Sequence, residues 1–232
     1  MIDFHSHILP GMDDGSQTVE ESLTLLEMLR AQGVDTVAAT PHFYARENSP
    51  EVFLRRRREA WERLNARLTP GGPQVLLGAE VRYYRGISRL EELHRLCLSG
   101  THVLLLEMPF SPWSSGILEE LEDLLLREDI TVVLAHIERY LPDQPHELWL
   151  RLRHMGALFQ CNASFFLDWR TRRRAIRMLR GGDIHLLGSD CHGVSHRPPQ
   201  MEQAMAYIRR HAGDDALSRL ESSARRLTAP TE

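Results

Sequence analysis

The chain has 232 residues, 42% of them apolar and 26% charged, with a net charge of -4, figures that suit a soluble globular protein with a single sizeable core over residues 1–232. No apolar run approaches the length of a bilayer-spanning helix, no basic-then-apolar leader opens the sequence, and the mild acidity advertises no nucleic-acid footprint, so a cytoplasmic location without membrane insertion is expected. The basic charge is all arginine, which excludes a Schiff-base or P-loop lysine, and the scattered Cys97, Cys161 and Cys191 argue against a disulfide framework.

Short apolar runs alternate with helix-patterned segments, the βα rhythm of a mostly parallel sheet. A first strand over Ile2 to His7 turns Ile2, Phe4 and Ile8 to packing and His5 and His7 to the opposite face. Two imidazoles on one side of a strand are a ready metal chelate. A first helix follows, with Thr18 and Glu21 at capping-box spacing, an apolar stripe of Val19, Leu23, Leu26 and Leu29, and Gly33 to close it. A second strand spans Asp35 to Thr40. The next helix carries the basic run Arg55 to Arg58, read as a solvated face. Pro70-Gly71-Gly72-Pro73 makes a turn rather than a linker. Further strands are expected near Gln74 to Gly78, Val103 to Leu106, Ile130 to Ala135, Ala157 to Cys161 and Ile184 to Leu187, about seven β/α units in all.

The strand ends carry the chemistry. The first ends in His5 and His7, the second in His42, the third in Glu80, the fourth in Glu107, the fifth in His136 and the seventh in Asp190 and His192. In a parallel barrel these ends share one face, where active sites of such folds lie. A buried strand has no packing reason to end in His, Glu or Asp, so the set reads as a metal cluster. Nitrogen and oxygen donors without thiolate suit manganese, iron or zinc in a catalytic role. Asn162, at the sixth end, is either a supporting donor or a turn residue.

These residues, with the opening Asp3-Phe4-His5-Ser6-His7-Ile8-Leu9-Pro10-Gly11-Met12-Asp13-Asp14-Gly15 and the segments Ala39-Thr40-Pro41-His42, Gly78-Ala79-Glu80-Val81, Leu106-Glu107-Met108-Pro109, Ala135-His136-Ile137-Glu138-Arg139-Tyr140, Gly188-Ser189-Asp190-Cys191-His192 and Arg197-Pro198-Pro199, resemble the PHP superfamily. The likeness spans essentially the whole chain. It is strongest to the bacterial protein-tyrosine phosphatases of capsular and exopolysaccharide synthesis. The resemblance implies an α/β fold, a distorted (β/α)7 TIM-like barrel, holding three divalent metal ions, often manganese. It implies His5, His7, Glu80 and Asp190 around the first ion, and Glu80 bridging to a second shared with Glu107 and His136. His42, His192 and Asp14, with Asp13 as the alternative, would hold the third.

Adjacent divalent ions activate water and stabilise charge in displacement at phosphorus. Arg139 and Arg197 are candidates to clamp phosphate. The substrate implied is phosphotyrosine on the tail of a bacterial tyrosine kinase that controls polysaccharide export, with Phe43, Tyr44, Phe110 and Trp113 either lining the rim or packing. Cys191 and Arg197 also satisfy the Cys-x5-Arg spacing of thiolate phosphatases. A single glycine between them and two prolines after the arginine disfavour that loop. Histidinol-phosphate phosphatase, another phosphoesterase of the superfamily, or a non-enzymatic metal-binding scaffold are the competing readings.

Overall fold

Nine strands and eight α-helices alternate along residues 1–230, the residues that the computed structural model describes; the last two residues of the expected domain lie outside the described residues. The strands are β1 (Ile2–Ser6), β2 (Thr36–Ala39), β3 (His42–Phe43), β4 (Gln74–Leu77), β5 (Glu80–Arg82), β6 (Val103–Glu107), β7 (Thr131–Leu134), β8 (Leu158–Asn162) and β9 (Leu186–Gly188). The helices are α1 (Val19–Ala31), α2 (Pro50–Asn65), α3 (Ser115–Leu125), α4 (His146–His154), α5 (Ala163–Leu167), α6 (Arg172–Arg180), α7 (Met201–Ala212) and α8 (Asp214–Thr228). Among the described residues no helix is long and apolar enough to cross a membrane.

All strand pairs are parallel, in a three-stranded sheet ordered β1-β2-β4 and a six-stranded sheet ordered β3-β5-β6-β7-β8-β9. A bridge between Ser6 and Cys191 joins β1 to the strand end beyond β9. Flanking it, Asp190 N–H donates to His5 O at 2.8 Å and His7 N–H to Cys191 O at 2.9 Å. The parallel strands therefore curl about a shared interior.

Two short strands, β3 and β5, were not expected. Pro41 has no N–H for the ladder, and β2 ends just before it. Gly78 follows the end of β4 at a close approach, where a Cβ would lie 2.8 Å from Leu98 Cδ1. After each break the chain re-enters the sheet, and His42 pairs with Glu80.

Alternation divides the apolar residues of the sheet. Val103, Leu105, Val133, Ala135, Ile2 and Phe4 pack inside the curl, whereas Leu104, Leu106, Val132 and Leu134 pack outward in the larger core. Ile8, expected to share a face with Ile2 and Phe4, belongs instead to the outer layer, because register shifts between Asp3 and Ser6. Continuing the inner face of β6 two residues past Leu105 delivers Glu107 to the top of the interior.

Helix α1 follows its sequence signals. Thr18 Oγ1 accepts from Glu21 N–H at 3.1 Å, while the Glu21 carboxylate reaches back to Gln17 N–H rather than Thr18. At the other end Gly33 (φ 81°) donates to Arg30 O, and Val34 N–H reaches Leu29 O at 3.1 Å, which completes a Schellman closure. The buried stripe is Ser22, Leu25, Leu26 and Leu29, with Val19 and Leu23 at its half-buried edge.

The basic run of α2 is only partly a solvated face. Arg57 donates to Gly78 O at 2.7 Å, and burial pulls its pKa down to about 10. Arg56 reaches Met12 O at 3.4 Å, and Arg63 on the same helix reaches Pro10 O at 3.0 Å. Arg56 and Arg63 thus pin the loop between β1 and α1, which carries Asp13 and Asp14.

Candidate metal centre

The strand ends bring five imidazoles and three buried carboxylates together at one end of the interior. His5 Nε2 lies 3.1 Å from His7 Nε2 and 3.1 Å from Glu80 Oε2, and Asp190 Oδ1 is 3.8 Å and 3.5 Å from the two imidazoles. His136 Nε2 contacts Glu80 Oε1 at 2.7 Å and Glu107 Oε1 at 3.5 Å. His42 Nδ1 is 3.0 Å from Glu80 Oε2, so Glu80 stands at the centre of the set.

Asp14, 69% exposed, presents Oδ1 to His192 Nε2 at 3.4 Å and to His42 Nε2 at 3.7 Å. Its neighbour Asp13 has a different place. Asp13 accepts from His7 Nδ1 at 2.7 Å and from His42 N–H at 2.8 Å, so it orients one imidazole and anchors the start of β3.

Backbone form follows these demands. Among the described residues, those other than glycine with left-handed φ are His136 (30°), Asp190 (52°) and Arg197 (54°), all candidate site residues. Such conformations cost on the order of 1–3 kcal/mol each and persist where the surroundings fix them. Two glycines give the imidazoles room. A Cβ on Gly188 would lie 2.6 Å from His5 Cβ, and one on Gly15 would lie 2.4 Å from His7 Cβ.

The donor chemistry fits divalent ions. His42 Nδ1 and Glu80 Oε2 are buried without a hydrogen bond of acceptable geometry despite lying close together. These two converging lone-pair atoms are left without a proton between them, and a cation can pair with both. Three overlapping groups can each hold an ion: His7, Asp14, His42 and His192; His5, His7 and Asp190; and His42, Glu80 and Glu107. His7 thus adjoins the Asp14 group as well as the His5 group, and His42 reaches Glu80.

Electrostatics agree. Burial opposes charge on Glu80, but the His5 charge and the close approach of the His136, His42 and His5 imidazoles hold its carboxyl well below the usual range. Burial likewise opposes charge on Asp190, and His5, His7 and Arg139 outweigh it. His192 is also shifted down: burial, His7 and Arg197 push it to about 4, which leaves this imidazole neutral and able to donate a lone pair.

A second layer braces the first. Asp190 Oδ2 accepts from Arg139 at 2.6 Å, from Asn162 Nδ2 at 2.7 Å and from Arg197. Asn162 is therefore a supporting donor. Gln160 Oε1 accepts from His136 N–H at 2.7 Å and faces His5 Nδ1 at 3.3 Å. Tyr140 OH faces His136 Nδ1 at 3.1 Å. Arg82 NH1 holds Glu107 Oε2 at 2.7 Å, and its guanidinium lies 4.9 Å from the Phe110 ring centroid. Arg82 and Tyr140 escaped the sequence reading, although Arg82 is two residues from Glu80 on one strand face and Tyr140 one helical turn from His136.

Of the four aromatics considered for the rim, Phe43 and Trp113 are core residues. Tyr44 stacks on His42 with centroids 5.1 Å apart, and Phe110 is 45% exposed beside His136. Cys191 is fully buried, and burial pushes its thiol up to about 12, which is unsuited to a nucleophilic thiolate.

Comparison with known proteins places this geometry in context. Residues 1–226 match the family described as capsular polysaccharide synthesis, CpsB/CapC. Tyrosine-protein phosphatase CpsB of Streptococcus agalactiae is 30% identical over 237 aligned residues, covering 95% of this chain and 94% of that protein. Tyrosine-protein phosphatase YwqE of Bacillus subtilis is 30% identical over 225, covering 93% and 86%. A crystal structure from work on YwqE and Streptococcus pneumoniae CpsB, described as unique metal-dependent tyrosine phosphatases, superposes with a TM-score of 0.86 at 27% identity, covering all of this chain and 96% of the other.

Proposed function

Because the chain belongs to the CpsB/CapC family of capsular polysaccharide synthesis, we propose that it is a metal-dependent tyrosine-protein phosphatase whose centre is the cluster around Glu80. The convergence of His5, His7, His42, His136 and His192 on Glu80, Glu107, Asp190 and Asp14, with lone pairs left unbonded, is the observation that carries this reading. Three divalent ions, manganese in the first instance and iron or zinc as substitutes, match the three overlapping donor groups. In this reading the whole 1–232 chain is one domain. Counting β2 with β3 and β4 with β5 as two broken strands makes the fold a distorted (β/α)7 barrel, with the site at the strand ends.

Bound ions supply an acidified water and positive charge for the phosphate oxygens. The residues of the chain do the rest. Glu80 lies between two imidazole sets and would help to hold two of the ions. Arg139 and Arg197 converge on Asp190 from the solvent side, and Arg197 NH1 also lies 3.0 Å from His192 Nε2, so the N–H groups not engaged there are available to a phosphate. Phe110 and Tyr44 offer ring faces to a phenyl group beside the centre. The leaving phenol has a pKa of about 10, so its departure needs little proton donation.

The biological substrate in this proposal is a phosphotyrosine segment of a bacterial tyrosine kinase. Turnover of a phosphotyrosine peptide should vanish on chelation and return with manganese, and kcat/KM should exceed that for a phosphoserine peptide and for histidinol phosphate. Full activity in metal-free protein would refute the metal assignment, whereas preference for histidinol phosphate would refute only the substrate.

A further inference from the structure

Between α5 and the first turn of α6 the chain reads Asp168-Trp169-Arg170-Thr171-Arg172-Arg173-Arg174. All four arginines are exposed, and Trp169 is 71% exposed. Among the described residues none of these guanidiniums pairs with a carboxylate. Asp168, the nearest in sequence, accepts instead from the Arg170 backbone N–H at 2.8 Å. Arg170 lies 5.2 Å from the Trp169 ring centroid and Arg172 lies 5.7 Å from that of Tyr207, arrangements that leave guanidinium edges free. In a protein of net charge -4, four unneutralised arginines lie within five residues and fan over the start of α6, from Tyr207 on one side to the cavity that Arg174 lines with Trp149 and Asp183 on the other.

Topology places this patch on the side of the metal centre. Strand β8 ends at Asn162, whose side chain donates to Asp190. Because β8 and β9 are parallel, α6 must run from that end back to the start of β9, so its first residues lie at the strand-end face. One short helix separates Asn162 from Arg170, a span on the order of 20 Å, or about six to eight residues of extended peptide.

Resting on the phosphatase reading above, we propose that Trp169, Arg170, Arg172, Arg173 and Arg174 form a docking site for a second phosphotyrosine on the substrate polypeptide, flanking the one held at the metals. Guanidinium forks match phosphate oxygens, and an exposed indole matches the tyrosyl ring. Phosphotyrosine presents both features together. A lipid surface fits less well, because the apolar side of α6 (Ala175, Ile176 and Leu179) is buried in the protein and only Trp169 remains to enter a bilayer. Two-point attachment makes the second contact intramolecular, which raises affinity without altering the chemical step.

The test compares peptides carrying one phosphotyrosine or two spaced by about eight residues, on the metal-loaded wild type and on the triple variant Arg172→Gln, Arg173→Gln, Arg174→Gln. Wild type should show about tenfold lower KM for the doubly phosphorylated peptide with kcat unchanged, and non-hydrolysable phosphonate versions should show the same ratio in fluorescence anisotropy. The variant should lose the ratio while keeping its melting temperature and its kcat/KM on the singly phosphorylated peptide. Equal KM values in wild type, or a ratio that survives in the variant, overturns the docking site and leaves the phosphatase standing. Capture by vesicles containing phosphatidylglycerol, lost in the variant and without any peptide preference, assigns the patch to membrane instead. Turnover of neither peptide removes the phosphatase reading itself, and the docking role with it.

Discussion

At the scale of single residues the site is a problem of unbalanced lone pairs, and each substitution has a distinct signature. Glu80→Ala removes the carboxylate that, alone among the described residues, contacts His5, His7, His42 and His136 together. It should lower bound metal and reduce turnover by at least a hundredfold, a scale known for disrupted metal environments; unchanged metal stoichiometry would take Glu80 out of the bridge. Gly188→Ala makes a different point, because its Cβ would lie 2.6 Å from His5 Cβ and 2.7 Å from Gln160 Nε2. Displacing His5 should weaken metal binding and cost about 1–3 kcal/mol of stability, measured by metal titration and denaturant melts. Cys191→Ser should keep most activity, since its thiol is buried and points away from solvent. A trapped phosphocysteine on Cys191 would reverse that conclusion.

At the scale of elements, helix α1 forms a wall beside the loop of Asp13 and Asp14 without touching the chemistry. Thr18→Ala removes the cap on Glu21 N–H and should cost about 1 kcal/mol. The melting temperature would fall by about 2–4 °C, with kcat unchanged in a steady-state assay at low temperature. Capping and closure of α1 were legible in the sequence because Thr18, Glu21 and Gly33 act through bonds to near neighbours. The strands β3 and β5 were not, since two or three residues carry no readable period and their partners are distant in the chain. The same division applies to the site. Histidines and carboxylates at strand ends stood out against apolar runs, but the convergence of Arg139 and Asn162 on Asp190 joins positions 51 and 28 residues apart, and Arg197, seven residues away, reaches it only through the fold of its loop. Which of Asp13 and Asp14 faces the cluster depended on the turn between them, and the structure gives Asp13 to His7 Nδ1 and Asp14 to His192.

At the scale of the whole molecule, one cluster gathers residues from β1, β3, β5, β6 and the segments after β7 and β9. Ions bound there would clasp both sheets, so metal should stabilise the entire fold: at a hundred times the dissociation constant the gain is about 2.7 kcal/mol. Melting temperature should rise with manganese in wild type and fail to rise in His7→Ala, as followed by calorimetry. The buried Cys191 gives this coupling a time axis. Its sulfur is sealed at the one bridge that joins β1 to the strand end beyond β9, so a thiol reagent can reach it only while that seam is open. The labelling rate of Cys191, read against that of Cys97 away from the metal centre, therefore counts how often the curled sheets part, and bound metal should slow the first clock more than the second.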